Sequence, residues 1–166
     1  MLYFPENRFL DDPEPLVDKR MRLEPAGEAD HPELLAVWEA SVRATHHFLA
    51  EEDILPLRPL ILEHYFDAVT LCCARDMAGK ILGFSGVAHG NLEMLFVAPD
   101  SRGRGIGTAL CRHAVDRFGV TRVDVNEQNP QALGFYERFG FEVVGRSPLD
   151  GQGKPFPLLH MKLRRS

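Results

Sequence analysis

The stretch Arg102-Gly103-Arg104-Gly105-Ile106-Gly107-Thr108 holds the residues most ready for chemistry. An apolar run, Met94 to Val97, stops at Pro99. Alternating glycines follow, and an apolar-periodic segment begins at Ile106. That order predicts a strand, a glycine-rich turn and a helix. The free N–H groups of a helix start converge on one spot, where the helix dipole also favours negative charge. Arg102 and Arg104 add full positive charges there. The loop therefore reads as a cradle for a diphosphate. It is not a P-loop, because no lysine sits in it, and it is not a dinucleotide fingerprint, because the glycines alternate and follow an apparent antiparallel meander rather than the first strand of a βαβ unit.

The elements that must position this loop can be read from the periodicity. Arg20 to Glu24 alternates charged and apolar residues and predicts a first strand. Asp30-His-Pro-Glu33 predicts a helix start, with Asp as N-cap, Pro in the first turn and Glu three residues on. Leu34, Leu35, Trp38 and Val42 carry that helix to about Thr45. A second helical stretch, about 51–67, is interrupted by Pro56 and Pro59 and is expected to be bent or broken. Strands follow at 69–75, 80–89 and 92–97, joined by the turns at 76–79 and at Gly90-Asn91. After the loop come a helix to Phe118 with Gly119 as its C-cap, a strand at 121–126, a short helix from Asn129-Pro130 to Phe139, a strand at 141–146, a Gly/Pro loop at 147–157 and a last strand at 158–163.

Composition bounds the rest. The chain has 166 residues, 45% hydrophobic and 26% charged, which suits one globular domain from about 19 to 166. Residues 1–18 mix aromatics, acids and prolines without periodicity and read as an N-terminal extension. Net charge is −5 with no basic stripe, so nucleic acid is not expected as a partner. No apolar run approaches the ~18 residues of a membrane span, and no secretory leader is visible, so the expected setting is the cytoplasm. Cys72, Cys73 and Cys111 show neither metal-ligand nor disulfide spacing and are expected to be small buried residues. No metal is expected.

At this point the chain resembles the GCN5-related N-acetyltransferase (GNAT) superfamily. The resemblance rests on Leu95-Phe-Val-Ala-Pro, on Arg102-Gly-Arg-Gly-Ile-Gly107, on Asn129 and on Phe135-Tyr136-Glu-Arg-Phe-Gly-Phe141, in the family's order and spacing over about 19–165. Ala44-Thr-His46-His-Phe-Leu49, Asn126-Glu-Gln-Asn129 and Gly153-Lys-Pro-Phe-Pro-Leu-Leu159 are similar to a bacterial subgroup of small protein-lysine or amine acetyltransferases. The resemblance implies an α/β (α+β) fold. Its sheet is mixed, mostly antiparallel and six- or seven-stranded, with a splay between the fourth and fifth strands and helices on both faces. It further implies an N-acetyltransferase that uses acetyl-CoA, with a non-catalytic acyl-CoA-binding domain as the alternative. The acceptor would be a small amine or a protein lysine, and the protein a monomer or homodimer.

Acetyl transfer needs a held donor, a neutral amine and a proton for the leaving sulfur. By resemblance, Arg102 to Thr108 hold the pyrophosphate, and the backbone of Leu95, Phe96 and Val97 pairs with the pantetheine arm. Asn129 is either a pantetheine contact or a helix N-cap. Tyr136 lies in the family position of the general acid, and helical geometry turns it about 100° from Phe135, off the apolar stripe of Phe135 and Phe139. For the base, Glu93 shares a strand face with Leu95 and Val97. His46 and His47, at the junction that overlies the acceptor pocket in this family, are rivals. His89 and His160 rank behind them. His46, His47, Phe48 and His89 are the candidate acceptor contacts, and 147–157 is expected to form the other wall. Glu51, Glu52 and Asp53 read as first-turn helix acids.

Overall fold

A computed structural model describes residues 20–164; the expectations for residues 1–18 lie outside them. Strand β1 (Arg22–Pro25) leads through a 3-10 turn at Glu28–Asp30 into helix α1 (His31–Thr45). The prolines divide the next helical stretch into α2 (Glu51–Ile54), α3 (Leu57–Leu60) and a π-type turn at Ile61–Tyr65. Strands β2 (Thr70–Arg75), β3 (Ile81–Ala88) and β4 (Asn91–Val97) form the meander. Helix α4 (Ile106–Phe118), β5 (Arg122–Asn126), α5 (Pro130–Phe139), β6 (Phe141–Ser147) and β7 (Leu158–Leu163) complete the chain. They form one seven-stranded sheet in the order β1-β2-β3-β4-β5-β7-β6.

The start of α1 differs from its sequence signature. The Asp30 carboxylate does not cap the helix. It accepts from the Gly27 N–H at 2.9 Å and from Arg75 Nη2 at 2.6 Å, and these contacts, the Gly27 N–H first, hold its carboxyl below the usual range. Glu33 Oε1 accepts from the Ile81 N–H at 2.9 Å. Asp30 thus folds back on the 3-10 turn through Gly27 and reaches β2 through Arg75, while Glu33 ties the helix start to β3, since a strand N–H beside the helix is a competing donor.

Helices cover both faces of the sheet. Leu34, Val37, Trp38 and Val42 of α1 pack with Phe66, Cys73, Phe84 and Met94 on one side. Cys111, Ala114 and Val115 of α4 and Tyr136 and Phe139 of α5 pack with Leu92, Val123, Val125 and Met161 on the other. Each large apolar side chain so buried stabilises the fold by ~1.5–3 kcal/mol. Gly83 lets α4 lie close to the sheet: a Cβ there would meet the Phe96 carbonyl oxygen at 2.9 Å and the Ile106 side chain at 3.1 Å. The cysteines are buried and free, as expected. Burial pushes the Cys72 thiol up to about 11.

Two irregularities open the sheet. β4 and β5 are parallel and pair only at Asn91↔Arg122 and Leu92↔Val123; beyond Leu92 and Val123 the strands fork. At the same place β4 carries a bulge. Gly86 pairs with Met94 and Val87 with Leu92, so Glu93 is left between them without a partner. The extra residue re-phases the strand: Leu92 packs on the α4–α5 side, and Met94 on the α1 side. The strict alternation that put Glu93 on the face of Leu95 and Val97 is thus interrupted at Glu93 itself.

Candidate active site

An open cavity of about 570 Å³ occupies the fork. Its floor is the pair of parting strands, with Leu92, Glu93, Leu95, Phe96 and Val97 from β4 and Val123 to Asn126 from β5. Beyond Leu92 the edge of β4 that faces β5 has no strand pairing, so an extended ligand can take the place of a strand there.

One end of the cavity is the glycine loop. Arg102, Gly103, Gly105, Ile106, Gly107 and Thr108 line it. Gly103 and Gly105 sit at φ +77° and +78°, a left-handed conformation that side chains with a Cβ resist. Among the described residues no side chain caps the start of α4, so its first-turn N–H groups remain as donors. An uncapped helix start, a left-handed glycine turn and Arg102 together fit a diphosphate. Arg104 does not line the cavity, which separates it from Arg102.

Asn129 caps a helix and also faces the cavity. It is buried, and its Oδ1 accepts from the Ala132 N–H at 3.2 Å, capping α5. It also lines the cavity, where its amide NH2 is the group left to offer. Tyr136 lines the cavity as well, but it is not set off from the core. It is 7% exposed, with its ring 5.1 Å from Phe135 and 5.7 Å from Phe141. The aromatic block that was expected to exclude it encloses it, because Phe141 follows on β6. Burial, with Cys111 adding to it, pushes the phenol well above its ordinary value. Tyr136 is therefore a protonated O–H donor throughout the neutral range.

Opposite stands His46, immediately after α1 and in the cavity wall. The Thr45 hydroxyl donates to the Ser41 carbonyl at 2.7 Å and lies 2.8 Å from His46 Nδ1. Its one proton is committed to Ser41, so Nδ1–H must donate to Thr45 and Nε2 carries the free lone pair. Burial, then the charges of Arg102 and His47, pulls the imidazole down to about 4. His46 is neutral at physiological pH. Glu93 enters the same wall from the bulge.

Other expected contacts lie elsewhere. His47 is exposed and outside the cavity lining. His89 is an exposed turn residue at φ +51°, and its carbonyl accepts from Arg122 Nη2. Phe48 stacks between His46, at 5.3 Å, and Phe156, at 5.7 Å, so it braces the wall from behind. The 147–157 segment, expected as the other wall, does not line the cavity. It leans on the helical strap beside it, with Gln152 Nε2 donating to the Tyr65 hydroxyl at 3.2 Å and Lys154 lying 3.9 Å from Asp53. Glu51 pairs with Arg43, and Asp53 accepts from the Ala50 N–H, as helix-start acids do.

Sequence reasoning missed Asp124. It lines the cavity from β5, and its Oδ1 lies 2.6 Å from His160 Nδ1, whose Nε2 lies 2.6 Å from Ser147 Oγ. The available signal was alternation: Val123 and Val125 point into the core, so Asp124 faces the other way.

The family described as an acetyltransferase (GNAT) domain matches residues 64–143. The peptidyl-lysine N-acetyltransferase YjaB of Escherichia coli K12 is 40% identical over 129 residues, 78% of this chain and 87% of that protein. This chain belongs to the GNAT family of acetyltransferases. The solution structure of apo YjaB from Escherichia coli superposes with a TM-score of 0.78 at 36% identity, covering 88% of this chain and 99% of that one. An L-methionine sulfoximine/L-methionine sulfone acetyltransferase of Pseudomonas paraeruginosa is 28% identical over 159 residues, 83% of this chain and 91% of that protein. The family's acetyl donor is acetyl-CoA, and the forked cavity of this acetyltransferase with its glycine cradle fits that donor.

Proposed function

We propose that this acetyltransferase moves an acetyl group from acetyl-CoA directly to a primary amine, and that the amine is a protein lysine side chain or a small molecule ending in a similar alkylamine. One observation carries the reading: the fork brings the diphosphate cradle, Tyr136, Glu93 and His46 into one cavity. The similarity to YjaB supports the lysine side chain as acceptor. The three buried free cysteines suit a reducing cytoplasm.

Bound acetyl-CoA supplies an acyl carbon activated as a thioester. The chain's own residues do the rest. Arg102 and the N–H groups of residues 103–108 hold the diphosphate end, and Asn129 offers its amide to the pantetheine arm. An alkylammonium, with a pKa near ~10.4, must lose a proton before it can attack. We assign that proton to Glu93, because protonating His46 is opposed by burial and by the neighbouring charge of Arg102. His46 offers its Nε2 lone pair as an acceptor that helps orient the neutral amine. Tyr136 Oη holds the proton that the departing sulfur needs.

The test is a screen for CoA release with lysine peptides, free amino acids, polyamines and aminoglycosides, accompanied by thermal shifts. Release with an alkylamine class, and a rise in melting temperature with acetyl-CoA but not with NAD or ATP, are expected. Equal shifts with all three nucleotides, or no release with any amine, would overturn the reading.

A further inference from the structure

The fork has two carboxylates, one on each prong. Leu92 and Val123 are the last residues paired between β4 and β5. Glu93 and Asp124 follow them, so each is the first residue past the branch point, and both line the cavity. Their surroundings differ. Glu93 is an unpaired bulge residue. Asp124 is held from behind by a chain of side chains crossing three strands: Asp124 Oδ1 to His160 Nδ1 at 2.6 Å, and His160 Nε2 to Ser147 Oγ at 2.6 Å. The backbone sets this up, since Asp124 and His160 are direct partners in the β5–β7 ladder.

With both ring nitrogens engaged, His160 cannot swing away, and it fixes the carboxylate without filling the cavity. One carboxylate oxygen of Asp124 is committed to His160; the other remains able to accept a hydrogen bond. A carboxylate preorganised in this way binds a cation with less loss of side-chain freedom than a mobile one does. On the acetyltransferase reading, the cation that must come to the fork is the acceptor's ammonium.

We propose that Asp124 is the acceptor anchor of this enzyme. It takes the ammonium end of the incoming alkylamine and seats it at the fork beside Glu93, and His160 and Ser147 are the residues that position it. The division of labour follows from the two environments. The fixed carboxylate holds the amine, and the carboxylate with no backing partner among the described residues accepts its proton. The anchor selects acceptors with a flexible, unbranched ammonium arm and discriminates against neutral or acidic end groups.

The experiment follows the His160 ring resonances of the CoA-saturated enzyme during titration with Nα-acetyl-lysine methylamide, and with Nα-acetyl-norleucine methylamide as the probe lacking the amine. The lysine probe should give a saturable shift and the norleucine probe none. Asp124→Asn should weaken lysine-probe binding about tenfold or more, the loss expected for a hydrogen bond to a charged group. In turnover, most of its effect should fall on the acceptor KM rather than on kcat, with the acetyl-CoA KM unmoved. His160→Asn, which keeps a donor near the Nδ1 position, should retain most of the affinity, whereas His160→Leu should behave like Asp124→Asn. The proposal is overturned if His160 does not respond at saturating lysine probe, if both probes shift it alike, or if Asp124→Asn binds as tightly as wild type. The inference rests on the acetyltransferase reading, but the two fail separately. A His160 response without turnover of any amine sinks the reading and keeps the anchor; turnover without the response sinks the anchor alone.

Discussion

The two sides of the fork are built differently. The donor side is made mostly of backbone from one continuous segment, β4, the glycine loop and α4. Its working groups are strand edges, helix N–H groups and two left-handed glycines. The acceptor side is made of side chains from separate elements: His46 after α1, Glu93 at the bulge of β4, Asp124 on β5, with His160 on β7 and Ser147 on β6 behind it. A backbone site tolerates side-chain variation but not loss of its glycines, while a side-chain site can be retuned one residue at a time. The family can thus keep one donor and change acceptors.

That contrast can be broken by substitution. Glu93→Gln removes the proposed proton acceptor and should lower kcat by about a hundredfold in steady-state CoA release. It should leave CoA affinity by calorimetry near wild type. A comparable loss of CoA affinity would mean that the acceptor side is not separable from the donor side. Gly105→Val places a β-branched residue at φ +78°. A strain of ~1–3 kcal/mol should weaken CoA binding by about tenfold or more, while the lysine probe still reaches its side of the fork.

His46 sharpens the comparison through pH. Its folded pKa of about 4 lies below the unfolded value of 6.5. Between those values the unfolded chain binds the proton more readily, so stability is full above pH 6.5 and declines as pH falls toward 4. Denaturant titrations of His46→Gln against wild type should show a flatter decline over that window, with a difference of ~1 kcal/mol for this incompletely buried group. A parallel decline would remove His46 from the account. The smallest effect expected is that of Thr45→Val. Losing the hydroxyl that receives His46 Nδ1–H should cost ~1 kcal/mol or less, and nitrogen chemical shifts should show a mixture of tautomers where wild type shows Nδ1–H alone.

The same contrast governs what could be read from the sequence. The element order, the broken helix at Pro56 and Pro59 and the glycine cradle were legible because each depends on local periodicity or on residues adjacent in the chain, whereas the splay between β4 and β5 was implied by the family resemblance alone. The bulge at Glu93 was not, since it appears only when Gly86 and Val87 are paired with Met94 and Leu92. Asp124, His160 and Ser147 are spread over 36 positions and meet only through cross-strand registry. Tyr136 lines the cavity but is not set outside the core as expected: helical geometry gave its angle from Phe135 but not the neighbouring strand that brings Phe141 against it. His47, Phe48, His89 and Arg104 do not line the cavity; position in the sequence or in a family junction does not decide which way a side chain faces.

The central claim is that donor and acceptor sides meet at one protonated phenol. The most direct measurement is CoA release by Tyr136→Phe with a lysine-peptide acceptor, beside the calorimetric affinity for CoA. The substitution removes only the Oη hydroxyl from a buried ring. The account predicts a loss of turnover of about a hundredfold or more with CoA affinity within about threefold of wild type. Turnover equal to wild type at unchanged CoA affinity would contradict it.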